Sequence, residues 1–204
     1  MPGQRPTLVV IAGPNGSGKT SLTAQLFSHE WLCNCVIINP DDIARDRFGD
    51  WNSPKAVAQA VQVAQTMREQ CLAEKRSFVF ETVLSSPEKL EFLRRASREG
   101  YFIRIFFIAT TSPEINAARV ARRFMEGGHD VPIPKIISRF AKSLANCMAC
   151  ATFVDRAYLY DNSKDGQTPR LLFRTHTGNI VKTYGEMPDW AQKIKEGIQT
   201  HSDQ

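Results

Sequence analysis

Residues 13–20 read Gly13-Pro14-Asn15-Gly16-Ser17-Gly18-Lys19-Thr20. This is the G-x-x-x-x-G-K-[ST] spacing of a phosphate-binding loop. The run before it, Leu8-Val9-Val10-Ile11-Ala12, is short, apolar and β-branched, as a buried parallel strand requires. The residues after it, Ser21-Leu22-Thr23-Ala24-Gln25-Leu26-Phe27, suit a helix. Chance produces the four fixed positions in roughly one chain of this length in a hundred, and the strand–loop–helix context makes coincidence rarer still. Glycines let successive backbone N–H groups close around phosphate oxygens, and the following helix adds the positive end of its dipole. Lys19 is placed to reach the β- and γ-phosphates of a nucleotide, and Thr20 to hold Mg²⁺.

Working outward, four more strands are expected, at residues 36–38, 77–81, 102–109 and 156–160, alternating with helical patterns. This predicts an α/β fold with a five-stranded, mostly parallel sheet and helices on both faces. Helix starts are marked by Ser53-Pro54, Ser86-Pro87 and Ser112-Pro113, each a serine N-cap before proline. Val57, Ala60, Val61, Ala64, Met67 and Cys71 form an apolar stripe at helical spacing, which reads as core. Gly100 ends the helix that begins near Pro87. Arg170–Arg174 and Asn179–Tyr184 flank Thr175-His176-Thr177-Gly178 and predict a C-terminal β-hairpin, placed to cover the sheet edge. A helix from about Pro188 to Ile198 follows. No composition break divides the chain, so residues 1–204 are read as a single domain.

The chain has 204 residues, 42% hydrophobic content and a formal net charge of +5, enough for a full-sized core. The N-terminus has no signal-like apolar segment and no run reaches membrane-spanning length, so a cytoplasmic protein is expected. The basic balance admits nucleic acid, but there is no finger pattern, RNP-type motif or polybasic tail. A basic cleft for an anionic small substrate fits better. Of the five cysteines, Cys33 and Cys35, and Cys147 and Cys150, have metal- or redox-like spacing. The second pair falls among Phe140, Leu144 and Met148, so buried free thiols explain it better than zinc.

Ligands of open α/β sheets bind beyond the carboxyl ends of the strands. Those ends carry the phosphate loop, Asn39-Pro40-Asp41-Asp42, Glu81-Thr82-Val83-Leu84-Ser85, Thr110-Thr111 and Asp161-Asn162-Ser163. Asp41 or Asp42 can accept a substrate hydroxyl proton, while one of them can cap the helix that follows. Glu81 ends an apolar strand, where a carboxylate needs a partner or a ligand. It suits substrate hydroxyls or a water on Mg²⁺, against a plain ion pair. Arg119, Arg122 and Arg123 share a helix face and precede Glu126-Gly127-Gly128-His129-Asp130-Val131-Pro132, which reads as a mobile lid; the plain alternative is a solvated face. Arg139 is a further candidate, and His129 alone is a weak signal. GTPase specificity elements are missing, and no acid ends the fourth strand as ATPase motors need.

These segments, taken in order, resemble the zeta-toxin-like P-loop kinases, of the UDP-N-acetylglucosamine kinase kind, over residues 8–163. The resemblance implies ATP-dependent phosphorylation of a UDP-N-acetyl sugar at its 3′-hydroxyl, poisoning wall-precursor supply, with an antitoxin protein as partner. It implies Asp41 as general base, Glu81 as the sugar-holding acid, Lys19 and Thr20 on the phosphates and Mg²⁺, and Arg119, Arg122 and Arg123 as the nearest matches to the lid arginines. The catalytic set is then Lys19, Asp41, Glu81, Arg122 and Arg123. Gly13, Pro14, Asn15, Gly16, Ser17, Gly18, Lys19, Thr20, Ser21, Arg119 and Asn162 are then expected to contact ATP. The chain departs from the family where it reads Glu-Thr-Val-Leu-Ser, the toxins having glycine after the glutamate. Other acceptors therefore stand beside the nucleotide-sugar: a nucleotide, a nucleoside or an antibiotic. A regulatory protein that binds nucleotide without transfer is the alternative of another class.

Overall fold

A computed structural model of the chain describes residues 5–26, 32, 34–49, 53–127 and 131–202. The first five strands are β1 (Thr7–Ala12), β2 (Val36–Ile38), β3 (Phe78–Thr82), β4 (Phe102–Ala109) and β5 (Arg156–Asp161). They lie parallel in the order β2-β3-β1-β4-β5. β1 is thus central, with Leu8 in register with Phe78 on one side and Ile103 on the other. It has no edge, and its residues 8–12 are wholly buried, which is why this stretch is apolar on both faces.

The sheet has seven strands rather than five. β6 (Arg170–His176) pairs antiparallel with β5, and β7 (Asn179–Thr183) pairs antiparallel with β6. The hairpin was rightly expected, but it extends the sheet instead of lying over its edge. The reason is tertiary: the free edge of β5 offers unpaired backbone groups, and β6 satisfies them.

The helices are α1 (Lys19–Leu26), α2 (Pro40–Arg47), α3 (Pro54–Ala73), α4 (Pro87–Arg98), α5 (Pro113–Met125), α6 (Ile133–Ala151) and α7 (Asp189–Ser202). α3, α4, α6 and α7 cover one sheet face, packing on Leu8, Val10, Phe78, Phe80, Ile103, Ile105 and Phe107. On the other face, Leu22 of α1 packs with Val9, Ile11, Val79, Phe106 and Ile108. Cys147 and Cys150 are buried free thiols in the larger cluster, and burial pushes both up, Cys150 to about 12. No helix among the described residues is long and apolar enough to cross a membrane.

Caps differ from expectation in detail. Ser53 accepts the Ala56 N–H at 3.2 Å, but Ser86 and Ser112 stand at N-cap positions without a side-chain cap bond to the backbone. α2 is capped by Asn39, which accepts from the Asp41 N–H at 3.0 Å. Neither Asp41 nor Asp42 is needed for that task. Gly100 adopts φ +85° just after α4, turning the chain into β4 as a left-handed residue after a helix does.

Candidate active site

The strand order places β1 between β3 and β4, so the glycine loop leaves the sheet flanked by the ends of those two strands. Three contacts fix the loop. The Gly13 N–H donates to the Thr82 carbonyl at 3.2 Å. Asn116 Nδ2 donates to the Asn15 carbonyl at 2.7 Å, and Asn162 Nδ2 to the Ser17 carbonyl at 2.8 Å. Gly13, Gly16 and Gly18 all have positive φ. Space reinforces backbone: a Cβ on Gly16 would lie 2.5 Å from the Asn116 carbonyl oxygen, and one on Gly18 would lie 2.2 Å from Asn162 Nδ2. These glycines let the asparagine braces approach the main chain.

Lys19 opens α1. Its Nζ donates to the Gly13 and Pro14 carbonyls, each at 2.9 Å. Removal from water pushes its ammonium down to about 8; Glu81 opposes this, the Arg123 charge adds to it, and Asp41 opposes it. Three charged residues from β3, α5 and α2 therefore act on one lysine.

Glu81 lies on the α1 face of β3, the face of Val79, whereas Phe78 and Phe80 face the larger core. Its Oε1 is hydrogen-bonded to the Thr23 hydroxyl, which also lies 2.9 Å from the Lys19 carbonyl. A hydroxyl has one proton, so Thr23 serves one acceptor at a time. Glu81 is thus held by a helix residue rather than by an arginine ion pair. Asp41 is exposed in the first turn of α2, while its neighbour Asp42 pairs with Arg45. The structure separates the two aspartates: Asp42 is tied to its own helix, while the Asp41 charge favours the charged form of Lys19.

The arginines divide as well. Arg119 donates through Nε to Asp165 Oδ1 at 2.8 Å, and Arg122 Nη2 stands 3.4 Å from Asp165 Oδ2. These bonds hold the Asp165 carboxyl below its ordinary range. Arg123 acts instead on Lys19. α5 therefore presents two arginines to Asp165 in the loop after β5, with Arg123 at the same cavity. Beside them lies a cavity of about 530 Å³, lined by Gly18, Ser21, Arg119, Asn162, Gly166 and Pro169 among others. Arg119 Nη1 is buried there without a partner among the described residues.

Asn116, Thr110 and Thr23 complete the site without having been singled out by role from sequence. Thr110 donates to Asn116 Oδ1, which orients the amide toward the loop. A buried asparagine within a helix, four residues after Ser112, carries no motif of its own. Its only sequence signal is polarity on an otherwise apolar face. Gly128, His129 and Asp130, and Cys33, fall outside the described residues. Arg139, on α6, is partly buried, with no contact recorded to the phosphate loop.

The residues fit nucleotide and Mg²⁺. The loop has the positive-φ glycines and braced carbonyls of a phosphate cradle, and the exposed Thr20 hydroxyl stands at its helix end. The described residues contain no group of three or more acidic, cysteine or histidine side chains able to hold a metal. Mg²⁺ bound through Thr20, phosphate oxygens and water needs none.

Fold and site define a P-loop phosphotransferase architecture. The zeta toxin family model matches residues 1–165, and the chain belongs to that family. A protein of Haemophilus influenzae with no assigned function is 26% identical over 121 residues, which is 59% of this chain and 83% of that one. Among solved structures, the AvrRxo1-ORF1:AvrRxo1-ORF2 complex with sulphate ions aligns with a TM-score of 0.68 at 19% identity, over 95% of this chain and 64% of that chain. The chain thus spans under two thirds of that neighbour's length. The same pair with ATP gives 0.65 at 17% identity, covering 97% and 77%. The PezAT toxin–antitoxin system of Streptococcus pneumoniae gives 0.60 at 14% identity, covering 98% and 86%. At these identities the neighbours establish a shared fold.

Proposed function

We propose that this protein is an ATP-dependent kinase that transfers the γ-phosphate to a hydroxyl of a small anionic acceptor. The acceptor we favour is a UDP-N-acetyl sugar or similar nucleotide-sugar. We place the chain as the toxin of a toxin–antitoxin pair acting in the cytoplasm. The observation that carries the kinase reading is Glu81 near the end of β3, held by Thr23 of α1, the helix that Lys19 of the phosphate loop opens. A protein that only binds nucleotide needs the lysine but has no use for two carboxylates on α2 and β3 whose charges act on it. The family membership and the neighbour solved with ATP support the donor.

The residues divide the work. Loop amides and Lys19 hold the phosphates, and Arg119 and Arg122, beside the cavity, hold the nucleotide end with Ser21 and Asn162. Mg²⁺, bound at Thr20, supplies charge neutralisation on the β- and γ-oxygens. Glu81, fixed by Thr23, holds acceptor hydroxyls. Asp41 takes the proton of the attacking hydroxyl as its oxygen bonds to phosphorus and the bond to the departing ADP oxygen breaks. Arg123 offsets charge on the transferring group.

Transfer of label from γ-³²P-ATP to a panel of nucleotide-sugars, nucleosides, nucleotides and aminoglycosides tests this directly. Asp41→Ala should reduce transfer by at least about 10²-fold while nucleotide affinity stays unchanged. Normal transfer in that variant would remove Asp41 as the base. Labelling of none of the panel, with ATP still bound, would favour the regulatory alternative. Bacterial growth arrest on expression, relieved in Lys19→Ala, tests the toxin role separately.

A further inference from the structure

A second cleft of about 690 Å³ runs between α3 and α4, lined by Gln65, Arg68, Glu69, Ser86, Lys89 and Phe92 among others. Arg68 is only 6% exposed. Its guanidinium lies 5.1 Å from the centroid of the Phe80 ring and makes no hydrogen bond or ion pair among the described residues. A buried arginine without an oxygen partner is costly. The floor under it is apolar, so its free donors can be met only from the open side.

The carboxylates along the cleft make no ion pair with Arg68 among the described residues, though the Glu69 charge favours its charged form. Glu69 is held by Arg95 and Glu91 by Arg98. Glu88 turns to the Ser86 hydroxyl and its own backbone N–H, which keeps its carboxyl below the ordinary range. Two cations remain, Arg68 and Lys89. Removal from water lowers Lys89, the Arg68 charge lowers it further, and the Glu88 charge opposes both. The amine and the guanidinium line the same cleft, and no carboxylate forms an ion pair with either among the described residues.

The cleft is separate from the crevice at the strand ends. Successive side chains of a strand point to opposite faces. Arg68 stacks on Phe80 in the larger core face, while Glu81 is held by Thr23 of α1 on the other. We propose that the α3–α4 cleft is a second binding site, in which Arg68 and Lys89 together hold the phosphate group of a small organic molecule. Two adjacent cations on one side match a dianion better than a single carboxylate, and the volume suits a ligand of metabolite size.

The test is a titration of the full-length protein with inorganic phosphate at constant ionic strength, followed by heteronuclear NMR. The Arg68 Nε–H and the Lys89 backbone amide should shift together and saturably. Arg68→Met keeps the stem and should weaken this response about tenfold or more; Lys89→Met should do the same and serves if the first variant does not fold. Lys19→Ala should leave it intact, because the glycine loop is a different phosphate site. Acetate should bind more weakly at the same amides. Shifts that do not saturate, that survive both cleft substitutions, that vanish in Lys19→Ala, or that acetate reproduces at equal affinity would each overturn the proposal. None of these readouts depends on kinase activity.

Discussion

Lys19 is held by two loop carbonyls and titrates near 8 in the folded chain against an ordinary 10.5. Between those values the folded state binds fewer protons than the unfolded one. Stability therefore rises with pH through that window, and this contribution is lost as pH falls through about 8. A phosphate beside Lys19 favours the charged form. Nucleotide binding near pH 8 to 9 should accordingly take up a proton and weaken as pH rises further. Calorimetry in two buffers of different ionisation enthalpy measures this; equal heats in both would contradict it. Thr23 belongs to the same scale. Thr23→Val removes the donor to Glu81 at nearly constant volume and should lower transfer about tenfold, with nucleotide affinity held within about twofold. An equal fall in both would mean that Thr23 acts through the Lys19 carbonyl. Residue types alone disclosed Lys19, Asp41 and Glu81 as candidates. They did not disclose that Thr23 fixes Glu81, because a threonine one turn along a helix looks like any other.

At the scale of elements, the strand–loop–helix unit was legible because its spacing is dictated by phosphate geometry. The braces on that loop come from α5 and from the residues after β5, 101 and 145 positions away along the chain. Gly16 shows how closely they approach. Gly16→Ala would place a Cβ on a residue at φ +75° and 2.5 Å from the Asn116 carbonyl oxygen, so both backbone and brace must shift. Loss of measurable nucleotide binding, with an unchanged far-UV spectrum, is the expected outcome. Retention of wild-type affinity would show that the loop tolerates displacement from Asn116. α2 gives the complementary lesson. A cap was expected from Asp41 or Asp42, yet Asn39 supplies it, leaving Asp41 for chemistry. Three polar residues within four positions fit one cap position, and only the backbone path selects among them.

For the whole molecule, the C-terminal part decides how the sheet ends. β6 and β7 extend it from five to seven strands, and α7 closes the larger core through Trp190, Ala191, Ile194 and Ile198. The Trp190 ring lies 6.2 Å from Phe107 on β4, so a helix that begins at residue 189 of 204 is seated on a strand near the middle of the chain. Trp190→Ala should cost about 3–5 kcal/mol, measured by denaturant unfolding with unchanged slope. A loss under about 1 kcal/mol would mean that α7 is not integral to the core. The C-terminal segment lies beyond residues 1–165, which the family model spans, but within the same packed structure.

By itself the sequence determined the α/β class, the phosphate loop, the kinase family and the acids at the strand ends. Each of these depends on local spacing: period-2 and period-3.6 patterns, and glycines where main chain must approach phosphate. Tertiary structure alone decided the seven-stranded sheet, the pairing of Arg119 and Arg122 with Asp165, the separation of Asp41 from Asp42, and the exposure of buried Arg68 to a second cleft. Those features depend on which distant segments meet, and no local pattern encodes a contact between residues a hundred positions apart.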